Sequence, residues 1–466
     1  MFDLVVRGGT VVTEAGSARA DVGVRQGTIA EVAPSLGPGA RELDATGRLV
    51  LPGGVDAHCH VDQRSSSGLM TADDFFTAGV SAACGGTTTI IPFAAQHRGQ
   101  SLRAVVDAYH ERARSRAFVD YGFHLIVSDP TPAVLQEELP ALVAGGCPSL
   151  KVYMTYDALK VTDLQMLDIF TAARAARAIV MVHAENSDAV AWATARLLAD
   201  GRTDPRDHPA SRPAAAEGEA THRAIVLAEM TGADVFIVHV SCREALAPIA
   251  DARARGARVW AETCPQYLVL TAADMDHPGF EMARFICSPP LRTQKDQRAL
   301  WAALSGGQLD LVSSDHAPYR LRDPLGKMAH GEHAAFTKIP NGLPGIELRL
   351  PLLYSEGVRA GRLTLEQFVA LTATNPARIY GLHPRKGTIA PGSDADLAIW
   401  DPELAQVVSQ ARLHDAMDDS PFEGRPVTGW PVTTVARGDV VWHDGQVAGA
   451  PGRGRFIPRS PRPRQG

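Results

Sequence analysis

Between residues 87 and 315, short apolar runs alternate with helix-like stretches, and this alternation restricts the fold more than any other feature. TTTIIPF, GFHLIVSD, SLKVYMTY, IVMVHAE, VFIVHVS, RVWAETC and LDLVSSD have the length and β-branched content of buried strands. SLRAVVDAYHERARSR, TDLQMLDIFTAARAAR and EALAPIADARARG lie among them with apolar residues at helical spacing. Strands separated by helices form parallel βαβ units. About eight such units predict an α/β chain whose centre, residues 53–384, is a (β/α)8 barrel. An open doubly wound sheet is the alternative, but no glycine-rich phosphate loop follows an early strand.

The ends have a different texture. Residues 1–52 are short alternating segments broken by glycine, and the pattern returns in KGTIAPGSDADLAIWD and TTVARGDVVWHDGQV. The two β-rich ends, 1–52 and 385–448, are expected to meet as one small β-sandwich beside the barrel. Residues 449–466 form a C-terminal tail. Its last part, GRGRFIPRSPRPRQG, is basic and proline-rich and reads as loose, with a strap onto a neighbouring subunit as the alternative.

Composition narrows the function classes. The net charge of −6 lacks the basic excess of a nucleic-acid binder. There is no apolar run of about 18 residues, so no membrane span is expected. The first residues, MFDLVVRGGTVV, alternate like a strand and lack the pattern of a secretory signal. Six cysteines without CxxC spacing fit reduced thiols and a cytoplasmic setting.

In a barrel, side chains at the C-terminal ends of strands converge on one site. The polar residues that end the apolar runs are therefore the candidates. His58 and His60 follow LVLPGGVDA, and in an extended strand positions i and i+2 share a face. Cys59 between them points away by the same parity and is read as a small core residue. Lys151 lies inside SLKVYMTY, His183 ends IVMVH, His239 ends VFIVH, and Asp315 ends LDLVSSD. One histidine at a strand end is ordinarily structural. Four, with a lysine and an aspartate in separate βα units, point to a metal centre.

Lys151 is the diagnostic residue. A buried, unpaired ammonium is costly, and desolvation lowers its pKa. The neutral amine can take up carbon dioxide as a carbamate, an anion able to reach two metals. The alternative is a lysine snorkelling to a surface acid.

With these residues in place, the chain resembles the dihydropyrimidinase/hydantoinase family of the amidohydrolase superfamily. The resemblance runs through GGVDAHCHVD, GGTTTIIPF, SLKVYMTYD, VHAEN, IVHVS, AETCPQYL, CSPPLR, SSDHAPY, KIPNGLPGIE, PRKGTIAPGSDADLAIWD and FEGRPVTGWPV, essentially the whole chain. It implies two zinc ions per chain. One would be held by His58, His60 and Asp315, the other by His183 and His239, with carboxylated Lys151 (N6-carboxylysine) and a hydroxide bridging them. It further implies that Tyr156 polarises the scissile carbonyl, while Ser288 and Asn341 hold the cyclic amide, largely through backbone groups. Asp315 would carry a proton from the attacking hydroxide to the leaving nitrogen. The implied substrate is a cyclic ureide, a dihydropyrimidine or a 5-monosubstituted hydantoin, opened to an N-carbamoyl amino acid. The implied assembly is a homotetramer of dimers.

Two positions depart from the family pattern. The loop after the histidine pair is HVDQRSSSGLM, and Pro92 stands where an aspartate is usual near the end of the next strand. Both leave the metal ligands intact and bear on the pocket for the ring substituent. Allantoinase and dihydroorotase are the enzymatic alternatives. Dihydroorotase-type chains place an arginine two positions after the second histidine, and allantoinase-type chains tend to place an asparagine there; this chain has Asp62. A non-catalytic scaffold of the same fold would have lost metal ligands, and every ligand position here is filled.

Overall fold

The computed structural model describes residues 1–65 and 68–463. Ser66 and Ser67, in the loop after the histidine pair, and the last three residues of the tail lie outside the described residues.

The N-terminal strands are β1 (Phe2–Thr13), β2 (Gly16–Arg25), β3 (Thr28–Ala33), β4 (Gly39–Asp44) and β5 (Leu49–Pro52). The central strands are β6 (Gly54–Cys59), β7 (Thr87–Ala95), β8 (Asp120–Tyr121), β9 (His124–Ile126), β10 (Ser149–Tyr153), β11 (Ile179–His183), β12 (Asp234–Ile237), β13 (Val259–Thr263) and β14 (Leu311–Val312). Near the C-terminus come β15 (Leu397–Val407), β16 (Pro426–Ala436), β17 (Asp439–His443) and β18 (Gln446–Val447).

The central strands pair in the order β14-β13-β12-β11-β10-β9-β7-β6, all parallel, with β8 beside β7. Backbone bonds between the ends of β14 and β6 close the ring. Asp315 N–H donates to His58 O at 2.9 Å, and His60 N–H to His316 O at 2.7 Å. This is the expected (β/α)8 barrel. Its strands read as unbroken apolar runs because both faces are covered. The helices form where periodicity and caps coincide. Leu102–Arg114 buries Leu102, Val105, Val106, Tyr109 and Ala113, one helical stripe, and begins where Ser101 Oγ accepts from Ala104 N–H. Asp163–Ala176 begins with a capping box between Thr162 and Gln165.

Strands from both chain ends form a second sheet, β18-β17-β16-β15-β5-β1-β2-β3, with β4 on β1. The join is antiparallel, with Leu49 to Pro52 of β5 facing Trp400 to Leu397 of β15. The sheet curls around its own core, which includes Val6, Val22, Val50, Leu397 and Val435. β1 changes partner midway, from β4 to β5, at a register shift between Val6 and Gly9. Gly8 takes φ +66° there, and a side chain on Gly9 would meet Val50 at 2.5 Å. A buried cation ties the two sheets together. Lys386 Nζ lies 2.6 Å from Asp120 beside the barrel and 2.7 and 2.9 Å from Asp396 and Asp394.

The tail departs from the loose segment expected. Ile457 and Arg459 are buried. Ile457 N–H donates to Tyr121 O, Phe456 stacks on Phe123, and Arg459 Nη2 donates to Phe123 O and Ser149 Oγ. Arg462 lies 3.9 Å over the Trp260 ring. Basic, proline-rich composition suggests a solvated chain, but these arginines find carbonyls and rings on the chain's own barrel. Among the described residues no helix is long and apolar enough to cross a membrane.

Candidate metal centre and substrate cavity

A cavity of about 280 Å³ opens at the C-terminal end of the barrel strands. It is lined by all nine residues singled out from the sequence: His58, His60, Lys151, Tyr156, His183, His239, Ser288, Asp315 and Asn341.

Strand ends supply the first donor group. His58 is the last residue but one of β6, His60 follows the strand, and Asp315 turns in from β14 with φ +48°. His239 and Tyr156 also have left-handed backbones, at φ +38° and +70°. Such strain in non-glycine residues persists only where surrounding structure enforces it, and here it falls on side chains aimed at the cavity. Asp315 Oδ1 lies 3.1 Å from His58 Nε2 and 3.2 Å from His60 Nε2. The other nitrogens are engaged behind. His58 Nδ1 bonds the Glu262 carboxylate, and His60 Nδ1 bonds Gln63 Oε1 at 2.8 Å. Ser313 Oγ holds the second oxygen of Glu262 at 2.6 Å.

The second group is His183 and His239, with ring centroids 4.6 Å apart. His183 Nε2 bonds Glu185 at 2.7 Å, and Arg212 grips the same carboxylate oxygen at 2.5 Å. Burial alone would raise the Glu185 carboxyl; Arg212 and His183 hold it at about 2. Burial keeps His239 well below the usual histidine range. It opposes charging His58 too, but Glu262 overrides it and draws that ring upward. Burial would likewise raise Asp315, yet His58 and His60 keep it well below the carboxylate range.

Lys151 is fully buried, and its Nζ has no hydrogen-bond partner. The Phe93 and Tyr153 ring centroids lie 5.3 and 5.2 Å from it. Burial pushes its pKa down to about 8. His58 Nε2 and His239 Nδ1 are also buried without hydrogen-bond partners. Each unmet polar group costs roughly 1–3 kcal/mol in a dry interior. Unmet nitrogens beside an ionised carboxylate fit the donor set of a cation centre.

Ser288 and Asn341 line the same cavity. Ser288 Oγ and Asn341 Oδ1 are buried without partners, so side-chain atoms, and not only backbone groups, are available there. Buried groups hold their segments in place. Lys327 Nζ donates to Ile286 O at 3.0 Å and Pro340 O at 3.2 Å, and Gly342 N–H donates to the same Ile286 carbonyl. His208 Nε2 bonds Cys287 O at 2.8 Å.

Sequence reasoning missed Glu262, Gln63, Glu185, Arg212, Lys327, His208 and Phe93, whose ring packs 4.9 Å from both the His58 and His60 rings. A signal existed for Glu262, since a carboxylate inside the buried strand RVWAETC must find a partner. Asp62 and Arg64 do not line the cavity. Asp62 lies 3.9 Å from Arg112, and Arg64 lines a separate cavity with His97 and Tyr109. Lys338, not considered from the sequence, is on the lining.

A model of the amidohydrolase family matches residues 49–441, most of the chain. The chain belongs to the amidohydrolase family. Among relatives of this amidohydrolase, a D-hydantoinase of Rhizobium radiobacter is 45% identical over 459 residues, covering 98% of this chain and 99% of that protein. A D-hydantoinase of Geobacillus stearothermophilus is 44% identical, covering 98% of this chain and 96% of that one. The crystal structure of dihydropyrimidinase from Brevibacillus agri NCHU1002 matches with a TM-score of 0.96 at 43% identity, over 99% of both chains. The amidohydrolase thus falls in the hydantoinase/dihydropyrimidinase branch.

Proposed function

We propose that this amidohydrolase opens the cyclic amide bond of dihydropyrimidines and 5-monosubstituted hydantoins to give N-carbamoyl amino acids. The observation that carries this reading is the convergence of nine separately encoded residues on one cavity, with the unpartnered Lys151 amine among them.

His58, His60 and Asp315 would hold one divalent cation and His183 and His239 a second, with Lys151 as its carbamate shared between them. Zinc suits these nitrogen and oxygen donors. When bound, the pair supplies hydroxide near neutral pH and polarises a carbonyl. The residues themselves do the rest. Ser288 and Asn341 hold the imide edge of the ring. Tyr156 donates its hydroxyl proton to the oxygen that gains charge as the carbonyl carbon becomes tetrahedral. Asp315, ionised at rest, accepts the proton of the attacking water and passes it to the ring nitrogen. The carbon–nitrogen bond then breaks with a neutral leaving group. Lys151 enters this arrangement readily, because a pKa near 8 leaves an appreciable neutral fraction at neutral pH.

Two further readings belong to the proposal. The first is a homotetramer, the assembly that the family resemblance implies. All six cysteines are free and buried, which supports a reducing, cytoplasmic setting.

Hydrolysis of dihydrouracil, phenylhydantoin, allantoin and dihydroorotate, with elemental analysis of chelator-free protein, tests the reading. Turnover of the first two with about two metal ions per chain is expected. An active protein without metal, or a preference for allantoin or dihydroorotate, would overturn it.

A further inference from the structure

A second cluster of metal-donor side chains lies outside the catalytic cavity, at the seam between the barrel and the sandwich. Cys84 is the last residue of the helix Thr77–Cys84, Glu347 precedes the helix Arg349–Leu353, and His414 sits between β15 and β16. The Cys84 sulfur, a Glu347 carboxylate oxygen and a His414 ring nitrogen all lie within 4.8 Å of one another. His58, His60 and Asp315 meet the same limit. We propose that Cys84, Glu347 and His414 form a second divalent-metal site, independent of the catalytic pair, that takes zinc or a softer cation and ties the barrel to the β-sandwich.

Three features support this assignment. The first is the donor set. A thiolate, an imidazole and a carboxylate together make a three-ligand site for a borderline-to-soft cation, with a fourth position left for water. A histidine–glutamate pair accounts for two of these groups, with His414 Nδ1 and Glu347 Oε1 2.9 Å apart. It leaves the thiol, within 4.8 Å of both, without a role. The donors, within 4.8 Å of one another, need to close by no more than about 1.5 Å to share a cation. Two donors on one tetrahedral zinc stand roughly 3.3 Å apart, given bonds of about 2.0–2.1 Å.

The second feature is outer support. Glu347 Oε2 accepts the His414 backbone N–H at 2.9 Å and Ser81 Oγ–H at 3.2 Å, so the carboxylate is oriented from both sides of the seam. The His414 ring is set edge-on to Trp442 at 5.0 Å.

The third feature is access. Cys84, Glu347 and His414 line a common cavity of about 560 Å³ with Arg412, Trp430 and Trp442. A cation has a path in, and water a place at the open position. Burial and then Glu347 push the Cys84 thiol up, so without a cation it is an inert thiol. On binding, the sulfur–hydrogen bond breaks, its electron pair goes to the metal, and the proton leaves to solvent. The hydrogen bond to Glu347 holds the His414 ring above its ordinary value, so binding also displaces the ring's extra proton to solvent and His414 binds as the neutral imidazole. A cation that binds only when both sides of the seam are in place stabilises the folded state.

The site has a spectroscopic signature of its own, since the proposed catalytic ligands include no sulfur. Titrating the intact enzyme with Co²⁺ should produce a thiolate-to-metal charge-transfer band in the near ultraviolet, saturating at one equivalent per chain, with a rise in Tm. Cys84→Ser should abolish the band, lower the metal bound by the Co²⁺-titrated enzyme by the one equivalent it holds beyond the catalytic pair, and leave ring-opening turnover unchanged. His414→Gln should weaken Co²⁺ binding at least tenfold, and provides the check should Cys84→Ser fail to fold. A wild-type enzyme with no thiolate band, or a band that survives both substitutions at full intensity, would overturn the proposal.

Discussion

The carboxylate of Glu262 holds His58 by Nδ1, and this contact leaves Nε2, 3.1 Å from Asp315, as the nitrogen that serves the cavity. The two residues are 204 positions apart and both fully buried. A carboxylate behind a histidine fixes its tautomer and strengthens it as a donor. Glu262→Gln should therefore weaken metal binding about 10–100-fold while preserving turnover at saturating metal. Metal titration of chelator-stripped enzyme measures this, and unchanged affinity would leave Glu262 a packing residue.

Lys151→Ala should lose most bound metal and nearly all activity while circular dichroism and Tm show an intact fold. In the wild type, ¹³C-labelled bicarbonate should give a carbamate carbon resonance that the variant lacks. Full metal occupancy in Lys151→Ala would remove the lysine from the centre.

Asp315→Asn should keep the barrel and lose turnover. An amide cannot shuttle a proton, and that assistance is typically worth about 10²–10⁴-fold. Loss of a ligand to the centre adds to the defect. Near-wild-type kcat at full metal occupancy would assign the proton transfer elsewhere.

His208 provides a pH test. Burial pushes its ring down to about 3 from an ordinary value of 6.5, and Nε2 bonds the carbonyl next to Ser288. Between those values the unfolded chain binds the proton and the folded chain does not. This contribution to stability is present above pH 6.5 and is lost as pH falls toward 3, by up to about 1.4 kcal/mol per pH unit. Tm should fall less steeply over that window in His208→Asn than in the wild type. Parallel curves would show that the ring titrates normally.

Substrate charge is the fifth test. Dihydroorotate should be turned over far more slowly than dihydrouracil or phenylhydantoin. A carboxylate taken into a partly desolvated site meets a desolvation cost, and the exposed Lys338 on the lining keeps its charge in solvent. Arg64 lines a different cavity, so Arg64→Ala should leave the ratio of kcat/KM values unchanged. Lys338 is the lining cation to examine if dihydroorotate proves to be a good substrate.

That the proposed ligands share one cavity was legible because strand parity and the strand-end rule are local. His58, His183 and His239 each end an apolar run, and a parallel barrel gives such positions one destination. The groups that hold them were not. Glu262, Gln63 and Arg212 matter only through partners that the fold delivers. Lys327 sits in a stretch of loop whose composition does not reveal that its ammonium will meet two carbonyls. The tail misled for a related reason. Arginine and proline content describes a segment's tendency to be solvated, whereas Arg459 is fixed by acceptors more than 300 positions earlier.

The antiparallel join of β5 to β15 also sets an order of events during synthesis. The ribosome releases Leu49–Pro52 long before Leu397–Trp400, so β5 waits with an open hydrogen-bonding edge while the whole barrel is made. An unpaired strand edge on a nascent chain is a template for association with other chains. The half-sheet formed by the first fifty residues is therefore open to such association until residue 397 has emerged. A chain stalled before residue 397 should aggregate through that edge.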